Sequence, residues 1–239
     1  TGYYQKVFHP EDMDERTVEN LTAEIVQDIT VGIRGTGIRA GIIGEVGVNG
    51  NPITFNEEKS IRAATRASLL TGAAITFHRG GTRSERHTTL DLVASEGGDL
   101  GRVILGHPDE IADDFQLMKD LLAREVYIQF DLIGREYAVD SLDEMNPGSS
   151  GDLSVTEKDA IAISKLIDAG FVDRILLSHD VCWKTHLRKY GGFGYSFIIE
   201  EFLPYLRKIG VEDDQINMMM IENPKRILPF VSPQTTFSQ

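Results

Sequence analysis

Short apolar runs alternate with helix-like segments along this chain, and this alternation restricts the fold more than any other feature. The predicted strands are 39–46, 73–78, 102–107, 126–131 and 174–178. A helix at 17–33 precedes them, and each strand leads toward a segment with helical apolar spacing. Alternation of this kind predicts a parallel sheet. We therefore expect the α/β class, with a barrel in which all strand carboxyl ends meet on one face.

Four of these runs end in side chains that can bind a metal ion: Glu45, His78, His107 and Asp180. One polar side chain at the end of a buried strand carries little information. Four at the same end of a parallel sheet predict a shared site. Two imidazoles and two carboxylates suit a divalent ion such as zinc or manganese.

Each of these residues also has a purely structural interpretation. Taken singly, His78 or His107 is more often a hydrogen-bonded loop histidine. Glu45 could form a salt bridge to an arginine such as Arg39, because a carboxylate on an apolar strand needs a partner. Equivalent positions on neighbouring strands, about 5 Å apart, favour metal binding by the two histidines together.

Asp180 follows Ser178 and His179, but this run is not a catalytic triad, because successive strand residues point to opposite faces. Asp180 can ligate a metal ion and take a proton from metal-bound water, whose pKa falls to about 7. It is the candidate catalytic residue. In the loop that follows, Lys184 and Arg188 are either solvated surface charges or bind an anionic substrate group.

The net charge of −13, with no cluster of lysine and arginine, argues against a nucleic-acid partner. No apolar stretch approaches the roughly 20 residues of a membrane helix, so no membrane partner is expected. Cys182 is the single cysteine, which fits a reducing compartment and predicts a cytoplasmic location. The segments 132–153 and 181–197 are long loops, expected to shape a pocket for a small-molecule substrate.

Several motifs resemble the phosphotriesterase family of the amidohydrolase superfamily, in its Glu-bridged branch of phosphotriesterase-related and phosphotriesterase homology proteins. They are Arg39-Ala-Gly-Ile-Ile-Gly-Glu45-Val-Gly, Ile75-Thr-Phe-His78, Leu105-Gly-His107, Gln129-Phe-Asp131, Leu177-Ser-His-Asp180, Tyr190-Gly-Gly-Phe-Gly-Tyr195 and Glu222-Asn-Pro224. The resemblance runs from residue 1 to about residue 228. It implies a (β/α)8 barrel with a binuclear centre of two divalent metal ions, zinc in the first instance and manganese as the alternative.

The resemblance also implies a role for each matching residue. Glu45 would bridge the metals, His78 and His107 would bind the second, and Asp180 would bind the first and accept the proton of the bridging hydroxide. Tyr4 would line the leaving-group or lactone pocket. Glu-bridged relatives include lactonases, some acting on phosphorylated sugar lactones, so we expect hydroxide attack on a lactone or ester carbonyl.

The sequence departs from the family pattern in two places. The family begins with a His-x-His pair, which this sequence lacks, so we interpret 1–239 as one hydrolase barrel domain without its first strands, holding strands 4 to 8. Phosphotriesterases also use a histidine–aspartate relay where this chain has Leu132 and Glu110, which argues against efficient organophosphate hydrolysis.

Two alternatives stay open at this stage. The same metals could serve a phosphotriesterase or an amide hydrolase, or the chain could be a truncated, non-catalytic remnant or binding module. Family members often pair as homodimers, but nothing in the sequence identifies an interface.

Overall fold

The computed structural model describes residues 1–137 and 153–234, which form two compact units. The first unit contains Thr1–Gly106, Ala123–Tyr127 and Lys225–Gln239, and the second contains His107–Leu122 and Ile128–Pro224. Most of the predicted loop 132–153 lies outside the described residues. The interpretation of 1–239 as one barrel domain stays a prediction.

Three parallel strands form the sheet of the first unit: β1 (Ile43–Gly47), β2 (Ile75–His78) and β3 (Val103–Gly106). Ile43, Ile75 and Val103 lie in register across the sheet, and all three side chains are buried. Parallel strands buried in this way read as continuous apolar runs, which is why the sequence pattern located them.

The first residues of the chain run beside β1. The Gly47 backbone N–H donates to the Tyr3 carbonyl oxygen at 2.9 Å, and the Gly44 N–H donates to the Thr1 carbonyl. A Cβ atom at Gly47 would lie 2.5 Å from the Tyr4 carbonyl oxygen, so a side chain there would push the two segments apart. Glycine therefore permits the contact that places Tyr4 beside the sheet.

The helices of the first unit are α1 (Val18–Thr30), α2 (Phe55–Thr71) and α3 (Glu85–Ser95). A capping box begins α2, because Thr54 and Glu57 side chains accept from each other's backbone N–H groups, as the Thr54-x-x-Glu57 spacing predicts. The Glu57 carboxylate also accepts from the backbone of Asn49 at 2.7 Å and Gly50 at 2.9 Å. One side chain thus fixes both the start of α2 and the loop after β1.

The second unit holds Ile128–Phe130 of β4 (Tyr127–Phe130), which pairs in parallel with β5 (Ile175–Leu177). Its helices are α4 (Phe115–Leu122), α5 (Val155–Asp168), α6 (Leu203–Lys208) and α7 (Asp213–Asn217), and α8 (Asn223–Ile227) begins in it. Asn223 is fully buried and donates to the carbonyls of Val172, at 2.8 Å, and Ile175, at 2.7 Å. These bonds hold the start of β5.

One predicted helix differs in the structure. The sequence pattern predicts a single helix at 198–209, whereas Ile198–Phe202 is π-helical and α6 starts only at Leu203. Pro204 lies at this junction and has no backbone N–H, which interrupts the regular hydrogen-bond ladder. Across the described residues, no helix is both long and apolar enough to cross a membrane.

Candidate active site

His78 is the last residue of β2, and its side chain is buried. Its Nδ1 lies 3.4 Å from Asn49 Oδ1 and 3.4 Å from Gln5 Nε2. A neutral imidazole that donates Nδ1–H to Asn49 carries its lone pair on Nε2, the form in which histidine binds metals. The Tyr4 ring meets the imidazole edge-on, with centroids 4.7 Å apart. The structure thus brings two of the predicted site residues together.

Glu45 lies within β1, not at its end as the sequence pattern suggested. The strand continues because Val46 and Gly47 pair with Phe77 and His78. The preceding residue, Gly44, has a φ of +136°, and a Cβ there would lie 2.4 Å from the Thr76 carbonyl oxygen. Only glycine fits this close approach, so the backbone next to Glu45 is fixed by neighbouring β2.

In the second unit, His107 follows β3 in the left-handed conformation, with a φ of +50°. Its Nδ1 lies 2.7 Å from Asp131 Oδ1, and its backbone N–H donates to the same oxygen at 3.0 Å. Both side chains are buried, and Gln129 Nε2 donates to the other Asp131 oxygen at 3.1 Å. The backbone and the ring are therefore both fixed by a single carboxylate.

His107 and Asp131 offer an imidazole nitrogen and carboxylate oxygens, which are atoms that can bind a metal ion. The bond to Asp131 sets the proton on Nδ1 and the lone pair on Nε2. A carboxylate behind a metal-binding histidine orients the ring and raises its basicity in this way. In the sequence, Asp131 ends the motif Gln129-Phe-Asp131 and was not among the predicted metal ligands. Its position directly after a buried strand was the signal for this role.

Replacing Asp131 with asparagine is expected to lower metal affinity by about 10- to 100-fold. An amide that accepts from the His107 backbone cannot also hold the ring as strongly as a carboxylate does. Competition with a chromogenic chelator measures the change. Asp120→Asn is the control, because Asp120 is exposed on α4 and bonds Gln116. Equal affinity in the Asp131 variant and the control would contradict this role.

Asp180 lies three residues beyond β5 in the left-handed conformation, with a φ of +46°. Arg135 Nη1 donates to Asp180 Oδ2 at 2.6 Å, and the Cys182 thiol approaches the same oxygen at 3.6 Å. Partial burial and the nearby Asp180 charge raise the pKa of Cys182 to about 11. The thiol is therefore protonated at neutral pH and is a poor nucleophile.

The histidines around the following loop pack against its aromatic residues. His179 Nε2 accepts from the Ile198 backbone N–H at 2.9 Å, and its ring stacks on Phe193 with centroids 6.1 Å apart. Burial lowers the pKa of His179, so the ring is neutral and structural at pH 7. His186 is also buried against Phe193, and so it is not part of a solvated charge cluster.

The predicted substrate-binding residues, Lys184 and Arg188, contact residues of the same loop and of the helix that follows it. The Lys184 ammonium lies 4.6 Å from the centroid of the Tyr190 ring. Arg188 pairs with Glu200 and donates to the Phe193 carbonyl. Within the described parts of the chain, neither residue pairs with Asp180. Their role toward a substrate stays a prediction.

A buried acidic residue on α5, Asp159, was not among the predicted site residues. It has no exposed surface, and neither of its carboxylate oxygens has a hydrogen-bond partner among the described residues. Burial, together with the charges of Asp109 and Asp131, raises its pKa well above the usual value. Helical spacing was the available signal, because Asp159 shares the apolar stripe of Ala162 and Ile163.

Replacing Asp159 with asparagine is expected to stabilise the protein at pH 8 by about 2 kcal/mol, since an unpaired buried charge is costly. A raised folded-state pKa means that the native and unfolded states are both protonated well below pH 4. The cost of burying the ionised Asp159 carboxylate therefore appears only as the pH rises. Near pH 3, the variant and the wild type should have the same free energy of unfolding.

Urea unfolding at the two pH values measures this difference. Asp168→Asn is the matched control, because Asp168 is exposed at the end of the same helix. The control should stay within about 0.5 kcal/mol at both pH values. A gain at Asp159 that is independent of pH would show that charge burial is not the cause.

Together, these observations define an α/β protein with parallel strands and metal-ligand side chains at or beyond the strand ends. The phosphotriesterase family model matches residues 1–228, and the chain belongs to this family. The resemblance found in the sequence is thereby confirmed, as is the fold class, an amidohydrolase-type (β/α)8 barrel.

Several proteins to which the chain is similar are named as hydrolases. The chain is 32% identical over 229 residues to an N-acetyltaurine hydrolase of Danio rerio, which covers 96% of this chain and 64% of the relative. The chain thus spans slightly less than two thirds of that relative's length. Its structure resembles the Escherichia coli phosphotriesterase homology protein, solved with phosphate in the active site, with 34% identity and a TM-score of 0.83 over 96% of this chain and 73% of that one.

A lactonase from Listeria monocytogenes is similar as well. It is 27% identical, with a TM-score of 0.78 over 92% of this chain and 63% of the lactonase chain. The family therefore includes proteins named for different substrates, and family membership leaves the substrate of this chain to be proposed.

Proposed function

We propose that this chain carries the activity of a metal-dependent hydrolase in which hydroxide attacks the carbonyl carbon of a lactone or ester and the acyl C–O bond breaks, with a sugar lactone, phosphorylated or not, as the favoured substrate. Glu45, His78, His107 and Asp180 would hold two divalent ions, zinc in the first instance and manganese as the alternative. The observation that carries the proposal is the buried His107–Asp131 pair, in which one carboxylate fixes both the ring and the backbone of the histidine.

The donor chemistry fits such ions. Imidazole nitrogens and carboxylate oxygens are the ligands that zinc takes at catalytic sites. The Asp131 carboxylate accepts from His107 Nδ1 and so directs the lone pair of that ring to Nε2. His78 Nδ1 lies 3.4 Å from both Asn49 Oδ1 and Gln5 Nε2.

The metals, when bound, would supply Lewis-acid polarisation of the carbonyl and lower the pKa of water. The residues of this chain supply the other functions. Asp180 accepts the proton that the attacking water loses and returns it to the leaving oxygen. Arg135 holds the Asp180 carboxylate in place at 2.6 Å. The Tyr4 ring packs on His78 and offers an apolar wall to the leaving group.

A lactone or ester is our first choice because the similar Listeria monocytogenes protein is named a lactonase. The second candidate is an N-acyl amide, favoured by the relatives named N-acetyltaurine hydrolase. Both reactions require water attack on a carbonyl carbon, so the same residues would serve them. Leu132 and Glu110, at the positions of the phosphotriesterase relay, argue against organophosphates as the main substrates.

The test is a substrate panel with metal-reconstituted protein. Protein carrying this chain would be loaded with zinc or manganese, and kcat/KM would be measured on lactones, carboxyl esters, N-acyl amides and phosphotriesters. We expect lactones and esters to give the highest values and phosphotriesters the lowest. Amides as the best class would establish the second candidate. Absence of turnover with metal bound would favour the non-catalytic alternative.

A further inference from the structure

His78 ends β2 beside a loop whose backbone is held by a carboxylate of α2. We infer that Glu57 and Asn49 are positioning residues for His78. Glu57 holds the Asn49 backbone, and the Asn49 side chain keeps the proton of the neutral imidazole on Nδ1, so that Nε2 can bind a metal ion. The inference rests on the proposed function, since it takes His78 to be a metal ligand.

The Glu57 carboxylate divides its two oxygens between two tasks. Oε2 accepts from the backbone N–H and the hydroxyl of Thr54, both at 2.8 Å, at the start of α2. Oε1 accepts from the backbone N–H groups of Asn49, at 2.7 Å, and Gly50, at 2.9 Å. One oxygen therefore serves the helix, and the other serves the loop after β1.

The protonation state of Glu57 strengthens its hold on the loop. The residue is buried, and burial alone raises the pKa of a carboxyl group. The hydrogen bonds that it accepts outweigh burial and leave the pKa of Glu57 below its usual value. The group is therefore ionised at neutral pH, and a carboxylate accepts stronger hydrogen bonds than a neutral oxygen does. Gly50 leaves room for it, since a Cβ there would lie 2.5 Å from Oε2.

The pairing of β1 with β2 places this loop next to the histidine. Gly47 lies in register with His78, and Asn49 follows two residues later. Asn49 is exposed, and its Oδ1 lies 3.4 Å from His78 Nδ1. An exposed side chain on an unrestrained backbone loses conformational entropy when it is held in one contact. The bonds to Glu57 fix the backbone in advance and so reduce that loss.

A second amide lies near the same ring nitrogen. Gln5 Nε2 is also 3.4 Å from His78 Nδ1, but it is a donor and suits a ring whose lone pair is on Nδ1. Asn49 Oδ1 is an acceptor and suits the Nδ1–H ring, whose lone pair is on Nε2. Glutamine has one more rotatable bond than asparagine and loses more entropy when held. With its backbone fixed, Asn49 therefore sets the tautomer.

Glu57→Gln separates the two tasks of this side chain. Glutamine also closes a capping box, so its one carbonyl oxygen can still serve Thr54. Its NH₂ group then faces the N–H groups of Asn49 and Gly50, which need an acceptor. We expect α2 to keep its start and zinc affinity to fall about 10-fold, as measured by competition with a chromogenic chelator.

Glu157→Gln is the matched control, because it makes the same change in another capping box. Glu157 accepts from the backbone N–H and hydroxyl of Ser154 at the start of α5, at 2.9 and 3.0 Å. Among the described residues, its carboxylate bonds to no other residue. The control should bind zinc as tightly as wild type does.

Substitutions at Asn49 test the contact itself. Asn49→Leu keeps the size of the side chain and removes the acceptor, so zinc binding should weaken about 10-fold or more. Asn49→Asp keeps an acceptor, as Asp131 does for His107, and should bind zinc at least as tightly as wild type. Glu57→Gln combined with Asn49→Leu should bind no more weakly than Asn49→Leu alone, because both changes break one connection. Asn49 is exposed, so its variants should fold even where Glu57→Gln loosens the loop.

The tautomer of His78 is measured without any metal. At pH 8 an ordinary imidazole is neutral, and the ring nitrogens of its two tautomers differ in ¹⁵N chemical shift. In metal-free, ¹⁵N-labelled protein, His78 should be Nδ1–H in wild type and in Glu157→Gln. Glu57→Gln and Asn49→Leu should both shift it toward the Nε2–H form, and Asn49→Asp should not.

The outcomes separate this inference from the proposed function. An Nε2–H ring in wild type overturns the inference, as does a Glu57→Gln protein whose zinc affinity or His78 tautomer matches the control. Losses that multiply in the double variant would show that Glu57 does not act through Asn49. If wild type binds no zinc, the proposed function fails, and the tautomers in metal-free protein still decide whether Glu57 and Asn49 set the ring.

Discussion

Replacing both His78 and His107 with alanine is expected to remove bound metal and to lower hydrolysis by at least about 10⁴-fold, because attack by unactivated water is slow at neutral pH. Each histidine would contribute one neutral nitrogen ligand, and alanine offers none. Metal content after dialysis and kcat/KM on the best lactone are the two measurements. Both should fall together, since the chemistry depends on the ions.

His87→Ala is the control for this experiment. His87 lies on α3, where its backbone carbonyl accepts from Arg124 at 3.2 Å. That contact survives the substitution, so metal content and rate should stay near wild type. Thermal unfolding of the double variant reports any loss of folding, because removal of the His107 ring takes one of three hydrogen-bond donors from the buried Asp131 carboxylate. Turnover by a folded, metal-free double variant would contradict the assignment of His78 and His107 as metal ligands.

Replacing Asp180 with asparagine is expected to lower kcat by about 10²- to 10⁴-fold while the protein stays folded. The amide keeps the size of the side chain and an oxygen for Arg135, but it cannot accept a proton. The pH profile of kcat should lose the limb that reports ionisation of the general base. Metal content should fall less than in the double histidine variant, because the other ligands stay in place.

Asp213→Asn serves as the matched control, since Asp213 is exposed and pairs with Arg207. Its rate and pH profile should equal those of wild type. A pH profile that keeps its shape in Asp180→Asn would assign the proton-accepting role to another group. A loss of metal as complete as in the histidine variant would make Asp180 a ligand without a separate role in proton transfer.

The strand positions and the residues at their ends were predictable from the sequence. Parallel strands are buried on both faces, so they appear as short apolar runs, and a polar side chain closing such a run is conspicuous. His78 and His107 were singled out for this reason. The Thr54-x-x-Glu57 spacing is a separate local signal, that of a helix start. These features depend on neighbours within a few residues along the chain.

Contacts between distant segments were not predictable in the same way. Arg135 and Asp180 are 45 residues apart, and no spacing rule joins them. Asp131 was visible at a strand end, but its double bond to His107 depends on the left-handed backbone there. His186 lies in a loop between Lys184 and Arg188, yet its ring is buried against Phe193.

The sequence by itself determined the alternation of strands and helices and the set of candidate metal-ligand residues, because both follow from patterns within a few residues along the chain. Only the tertiary structure decided which side chains contact each other. Asp131 contacts His107, Asn49 lies beside His78, and Arg135 pairs with Asp180. Such pairings follow from the packing of distant segments, where hydrogen-bond geometry and the loss of water select one partner among many.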